Sequence, residues 1–159
     1  MNHQTLTLSL LLLLFLPLFL CQTGFAASPP TGLVDGRLPP CPDKPNCVNS
    51  EDPNAQARIA PLTYAGDSAR AWRNLRQAVA ASGGVIAVAG DGYLRAVYTS
   101  QVWRFKDDVE CRLDPDASVI QLRSASRVGY WDLGANRRRV EEIRQIFNKL
   151  EKKDNRRKE

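Results

Sequence analysis

Between Ser68 and Ser82, apolar side chains return every three or four residues at Trp72, Leu75, Ala78 and Val79. Residues at that spacing share one face of an α-helix. The segment therefore predicts a helix with one buried side and Trp72 as its main anchor. Asp67 or Ser68 can start it, because a short oxygen-bearing side chain accepts from the first free backbone N–H groups. Gly83 and Gly84 end it. Beyond the glycines the period drops to two. "VIAVA", the turn "GDG" and "YLRAVYTS" read as a β-hairpin. In "VWRFKDDVECRLD", Trp103, Phe105, Asp107, Val109, Cys111 and Leu113 alternate with Val102, Arg104, Lys106, Asp108, Glu110 and Arg112. The first set is predicted to point inward and the second, Asp108 included, outward. After the turn "DPDA", the strand "SVIQLRSASRV" returns with Ile120, Leu122, Ser124, Ser126 and Val128 inward. The helical period resumes from about Asn136 to Lys149 through Val140, Ile143, Phe147 and Leu150. This order predicts a two-layer α+β domain. An antiparallel four-stranded meander is flanked by an N-terminal and a C-terminal helix on one face.

The chain opens differently. Its first 28 residues hold no Lys, Arg, Asp or Glu, and a leucine-rich run extends from Leu6 to Leu20. A polar start, an apolar stretch and small residues at Gly24 and Ala26 follow the plan of a secretory signal peptide, predicted as residues 1–26. The run is shorter than the roughly 20 apolar residues needed to cross a bilayer, and Pro17 breaks it, so no span is expected in the mature chain. Lipidation of Cys21 is the alternative, but Leu20 stands where lipoprotein processing wants a small residue. About 130 residues then remain, enough for one domain with a real core. Residues 27–40 read as a linker, 41–150 as the domain and 151–159 as a solvated charged tail. Residues 41–62 form an irregular arm rich in Pro, Asn and Asp. The expected location is periplasmic or secreted.

Export changes how the cysteines read. Cys41 and Cys47 in "CPDKPNC" predict a small-loop disulfide that pins the arm. Cys111, on the inward side of its strand, predicts a buried inert thiol. The only histidine is His3. It leaves with the signal peptide, so the mature chain can build neither a Ser-His-Asp triad nor a His-ligated metal site. No metal and no cofactor is expected. The formal charge is +5, which can attract anionic surfaces, but no nucleic-acid-binding motif accompanies it. The expected state is a monomer.

Two features point to a site. Asp107 lies on an inward face, and a buried carboxylate must be paired or hydrogen-bonded. Arg123, Arg127, Arg137 and Arg138 are the candidate partners, and Ser124 joins Asp107 in the predicted buried polar network. The final helix also opens with Arg137, Arg138 and Arg139 just after Asn136. Cations are disfavoured there, because the backbone dipole makes a helix start positive. Successive residues are about 100° apart, so the three cannot all face the sheet. Arg139 and Arg137 flank the buried stripe more closely than Arg138. Arg137 is expected to tie the helix to Asp107 or Asp132, and Arg138 to remain free. The predicted anion-binding set is Arg123, Ser126, Arg127, Asp132, Asn136, Arg137 and Arg138. Tyr130 and Trp131 fit either a binding edge or packing over the sheet end.

The leading functional reading is a non-enzymatic envelope protein whose arginine-rich edge binds an anionic ligand or an acidic envelope partner. A small hydrolase or isomerase using Asp107 or Asp108 is the second. Against it, neighbouring strand residues point to opposite faces. A purely structural or scaffolding protein is the third. "CPDKPNCVNSE", the Trp-bearing helix, "FKDDVECRLD" and "RSASRVGYWDLGANRRRVEEIR" together resemble the domain of unknown function 1499 family over roughly residues 41 to 150. Its members are small, often exported bacterial proteins, with relatives in photosynthetic organisms. They commonly have an aromatic residue where this chain has Cys111, which fits an inward packing position. The resemblance implies a shared fold and brings no reaction, cofactor or catalytic residue.

Overall fold

The computed structural model describes residues 32–157. The signal-peptide and Cys21 readings lie outside them. The described residues form β1 (Cys47–Asn49), β2 (Leu62–Thr63), α1 (Ser68–Ala81), β3 (Val85–Ala89), β4 (Tyr93–Thr99), β5 (Lys106–Asp114), β6 (Val119–Ser126) and α2 (Ala135–Arg156). The meander β3–β4–β5–β6 is antiparallel throughout. The arm adds β1 and β2 to the outer edge of β6, opposite Arg123–Ala125 and Val119–Ile120. Two segments of the irregular arm are thus part of the sheet.

The apolar stripe of α1 and that of α2 cover one face. Leu75, Ala78 and Val79 meet Leu94, Ala96, Val109, Cys111, Ile120, Leu122, Val140, Ile143 and Phe147 in one buried cluster. Trp72 is only partly buried at its margin, so the smaller residues of α1, not the indole, form its deepest contact. Asp67 caps α1, accepting from the N–H groups of Ala69 and Arg70. The Cys111 thiol is fully enclosed, and burial pushes its pKa up, as an inert core residue requires. The arm carries a Cys41–Cys47 disulfide.

Gly83, in the left-handed region at φ 91°, turns the chain out of α1, and Gly84 beyond it is needed for space. A Cβ built there would stand 2.7 Å from the Tyr98 ring. Tyr98 is itself fixed by a 2.8 Å bond with the Ser82 hydroxyl and by donation to the Val79 carbonyl. Gly84→Ala should therefore cost about 1–3 kcal/mol, the usual penalty for overpacking. Thermal melting of the variant checks it, and an unchanged midpoint would mean that the ring gives way freely.

Three expectations need correction. First, β5 begins at Lys106, and Trp103 and Phe105 are exposed, at 74% and 53%. The alternation continues on paper, but Arg104 takes a left-handed backbone (φ 56°) that a strand cannot hold. Val128 is likewise exposed, because β6 ends at Ser126. Second, α2 runs on to Arg156, and the stretch read as a charged tail is largely helix. Glu151 is buried where it accepts from Arg70 and Asn74 of α1. Third, part of the stretch read as a linker lies against the second face of the sheet. Leu38 and Pro39 are buried, the Pro39 carbonyl accepts from Asn49 Nδ2, and Gly32 N–H donates to Glu110.

Candidate functional site

That second face is charged and covered. Glu110 and Arg123 are cross-strand neighbours on β5 and β6. Their side chains are fully buried and meet at 2.6 Å. Glu110 also accepts from the Tyr93 hydroxyl and from Gly32 N–H, each at 2.7 Å. Burial first and the Glu110 bond second raise the Tyr93 phenol above its ordinary value. Toward the end of the sheet, Asp108 takes both forks of Arg127 at 2.8 Å and Arg95 at 3.4 Å. The bond to Asp108 is the main reason the Arg127 pKa is raised. Asp108 is 1% exposed, so its expected outward, solvated position is wrong. A period of two separates the faces of a strand but does not say which of them another segment will cover.

On the helix face, at the same end, Asp107 pairs with Arg139. Arg123, Arg127, Arg137 and Arg138 had been the candidate partners, and none of them fills that role. Arg139 also donates to Ser124 Oγ at 3.0 Å and Asn136 Oδ1 at 2.6 Å, and its guanidinium lies 4.8 Å from the Tyr98 ring centre. Burial pushes the Tyr98 phenol up to about 12. Asn136 does not start the helix. Gly134 takes the cap position with φ 77°, and Asp132 serves the free amides, accepting from Gly134 N–H and Asn136 N–H at 2.8 Å. The Asn136 amide is buried and donates to the Asn46 carbonyl, Ser126 Oγ and Asp132 Oδ2.

The remaining members of the predicted set lie further out. Arg137 is exposed and donates to the Gln56 carbonyl at 2.8 Å, not to Asp107 or Asp132. Arg138 is exposed and donates to the Leu133 carbonyl at 2.8 Å. The structure thus gathers Ser124, Ser126, Asp132 and Asn136 around Asp107 and Arg139. It puts Arg123 and Arg127 on the opposite face and Arg137 and Arg138 on the surface. Sequence reasoning missed Arg139 as the partner of Asp107, although it flanks the buried stripe. It also missed Glu110, whose signal was an arginine directly across the hairpin.

The connections at this end stand out from the polar interior behind them. β5 leaves residues 100–105 and β6 leaves residues 127–134 at the same edge of the sheet, since Asp107 pairs with Ser126 and Arg127 N–H donates to the Lys106 carbonyl. Trp103, Tyr130 and Trp131 are 74%, 68% and 66% exposed there. The clefts beside them are small. One of about 280 Å³ lies between Pro42, Lys44, Pro45, Gln56 and Tyr130, and one of about 170 Å³ between Cys47, Trp131 and Arg137. Small-molecule pockets usually enclose about 300–1,000 Å³. Among the described residues, no group of three or more His, Cys, Asp or Glu could hold a metal ion, and no helix is long and apolar enough to cross a membrane.

An antiparallel sheet with two helices on one face, the stretch around Leu38 and Pro39 on the other and arginine–carboxylate pairs on both makes this a small α+β domain. The chain belongs to the family described as "Protein of unknown function (DUF1499)", whose model matches residues 37–147. No curated protein and no solved structure matches it.

Proposed function

We infer that the protein is a non-enzymatic exported envelope protein whose arginine-bearing edge, at the start of α2 and the neighbouring loops, binds an anionic ligand or acidic partner. One observation carries the reading: three carboxylates at this end, Asp107, Asp108 and Asp132, are already engaged, while more exposed cations than exposed acids remain around them, Asp43 beside Tyr130 being the exposed acid. Asp107 is held by Arg139, Asp108 by Arg127 and Arg95, and Asp132 by the amides of the helix start. Arg104, Lys106, Arg137 and Arg138 stand exposed around them. An ion-paired Asp107 and an ion-paired Asp108 on opposite faces cannot converge on one substrate atom, which disfavours the hydrolase or isomerase alternative. A scaffolding role would use the same edge without a ligand.

Native mass spectrometry of protein isolated gently from the periplasm tests the reading. The expected result is a bound anion or acidic partner that Arg138→Gln loses while melting unchanged. A protein that carries nothing, and whose variant behaves as wild type, overturns it.

A further inference from the structure

Seven apolar side chains project from the two loops at the end of the sheet. The loop between β4 and β5 presents Val102, Trp103 and Phe105, and the one after β6 presents Val128, Tyr130, Trp131 and Leu133. Their exposure runs from 46% at Val128 to 79% at Val102. So many exposed apolar groups at one end mark an interaction surface. Both loops also hold a bulky residue in the left-handed region, Arg104 at φ 56° and Leu133 at φ 54°.

We propose that this end of the sheet docks on the surface of an anionic lipid bilayer, with Trp103 and Trp131 seated at the headgroup boundary. The inference rests on the anion-binding reading and names its partner class. The side chains stand on loop tips, and the clefts that Tyr130 and Trp131 border are small, so an occupant that closes around projecting groups, as a fluid interface does, suits them best. Tryptophan and tyrosine suit that boundary, since each has an apolar ring and a polar edge. The charge fits as well. Residues 100–106 contain Arg104 and Lys106 and no acid. Residues 127–134 contain one acid, Asp132, and its oxygens are taken by the start of α2. Exposed cations beside inserted rings add attraction to anionic headgroups. The paired Asp107 and Asp108 lie behind the tips, and the exposed Asp43 beside Tyr130 is offset by its exposed neighbour Lys44.

The test uses vesicles of equimolar phosphatidylglycerol and phosphatidylcholine carrying brominated acyl chains, which quench indole fluorescence only at close range. Three single-tryptophan forms of the full chain retain Trp72, Trp103 or Trp131. Trp103 and Trp131 should be quenched, while Trp72, on α1, should not. The readout is local to each indole, so it holds whether or not residues 1–26 are present. Trp103→Ser with Trp131→Ser, at exposed positions that leave the core intact, should weaken partitioning about tenfold, and neutral phosphatidylcholine alone should bind less (a tenfold change is about 1.4 kcal/mol). Equal quenching of Trp72, no quenching at all, equal binding to neutral vesicles, or a double variant that partitions like wild type each overturns the proposal. If the vesicles fail while native mass spectrometry still finds a ligand that depends on Arg138, the membrane assignment falls and the anion-binding reading stands. A soluble acidic protein would be the partner class to examine next.

Discussion

Glu110→Ala should be the most damaging single substitution in the sheet, and more damaging than Arg123→Met. Both side chains of the pair are fully buried and meet at 2.6 Å. Removing one partner of a buried pair costs about 3–5 kcal/mol, against a total stability of about 5–15 kcal/mol for a typical domain. The two removals are unequal. Among the described residues Arg123 has no partner for Nε or Nη2, so loss of Glu110 removes the one side-chain bond its guanidinium makes to them. Loss of Arg123 leaves a carboxylate that still accepts from Tyr93 and Gly32. Glu110→Ala also frees the Tyr93 hydroxyl and loosens the point where the stretch beginning at Gly32 meets the sheet. Urea unfolding of both variants checks the order. If Arg123→Met is the less stable, or if neither moves the midpoint, the pair does not hold the second face of the sheet together.

This pair also marks the limit of what the sequence revealed. Period-two alternation in β4, β5 and β6 and period-3.6 patterning in both helices gave the α+β plan, because each reflects a face that must be buried. The disulfide was legible for a different reason: two cysteines six positions apart, with prolines bending the chain between them. The second face was not legible. Its cover comes from a segment with few apolar residues, and of residues 32–40 only Leu38 and Pro39 lie deep. Backbone hydrogen bonds from Gly32, Leu38 and Cys41 to carboxylates fix the segment instead, and such bonds leave no hydrophobic period. The end of β5 failed for a local reason. Trp103 and Phe105 continue the alternation, yet the chain has already turned at Arg104. The site was half legible. Asp107 demanded a partner, and the helix wheel put both Arg139 and Arg137 beside the buried stripe, of which Arg137 was the expected tie. Asp132 and Gly134 begin α2 at Ala135, before Asn136, and Arg139 then falls over Asp107 while Arg137 falls over the arm.

The three arginines at the start of α2 should therefore separate sharply. Arg139→Gln strands Asp107 and empties the space between Ser124, Asn136 and the Tyr98 ring. Its side chain is 14% exposed and that of Asp107 11%, so the loss belongs near the low end for a buried pair, about 3 kcal/mol. In a domain of this size that lowers the melting midpoint by on the order of 10 °C. Asp108→Ala should be costly too, because it releases both Arg127 and Arg95, and Asp107→Ala should resemble Arg139→Gln. Arg138→Gln removes one exposed hydrogen bond to the Leu133 carbonyl. It also removes a cation from a positive helix end, where an exposed charge counts for about 0.3–1 kcal/mol. The two effects oppose, and the midpoint should stay within experimental reach of wild type. Arg137→Gln, which gives up its exposed bonds to the arm at Gln56 and Arg58, should fall between the two and close to Arg138→Gln. Thermal melting of the three single variants side by side decides it. Equal shifts at positions 137, 138 and 139 would mean that the charges at this helix start act only through the dipole, and that the Asp107–Arg139 contact contributes nothing to the fold.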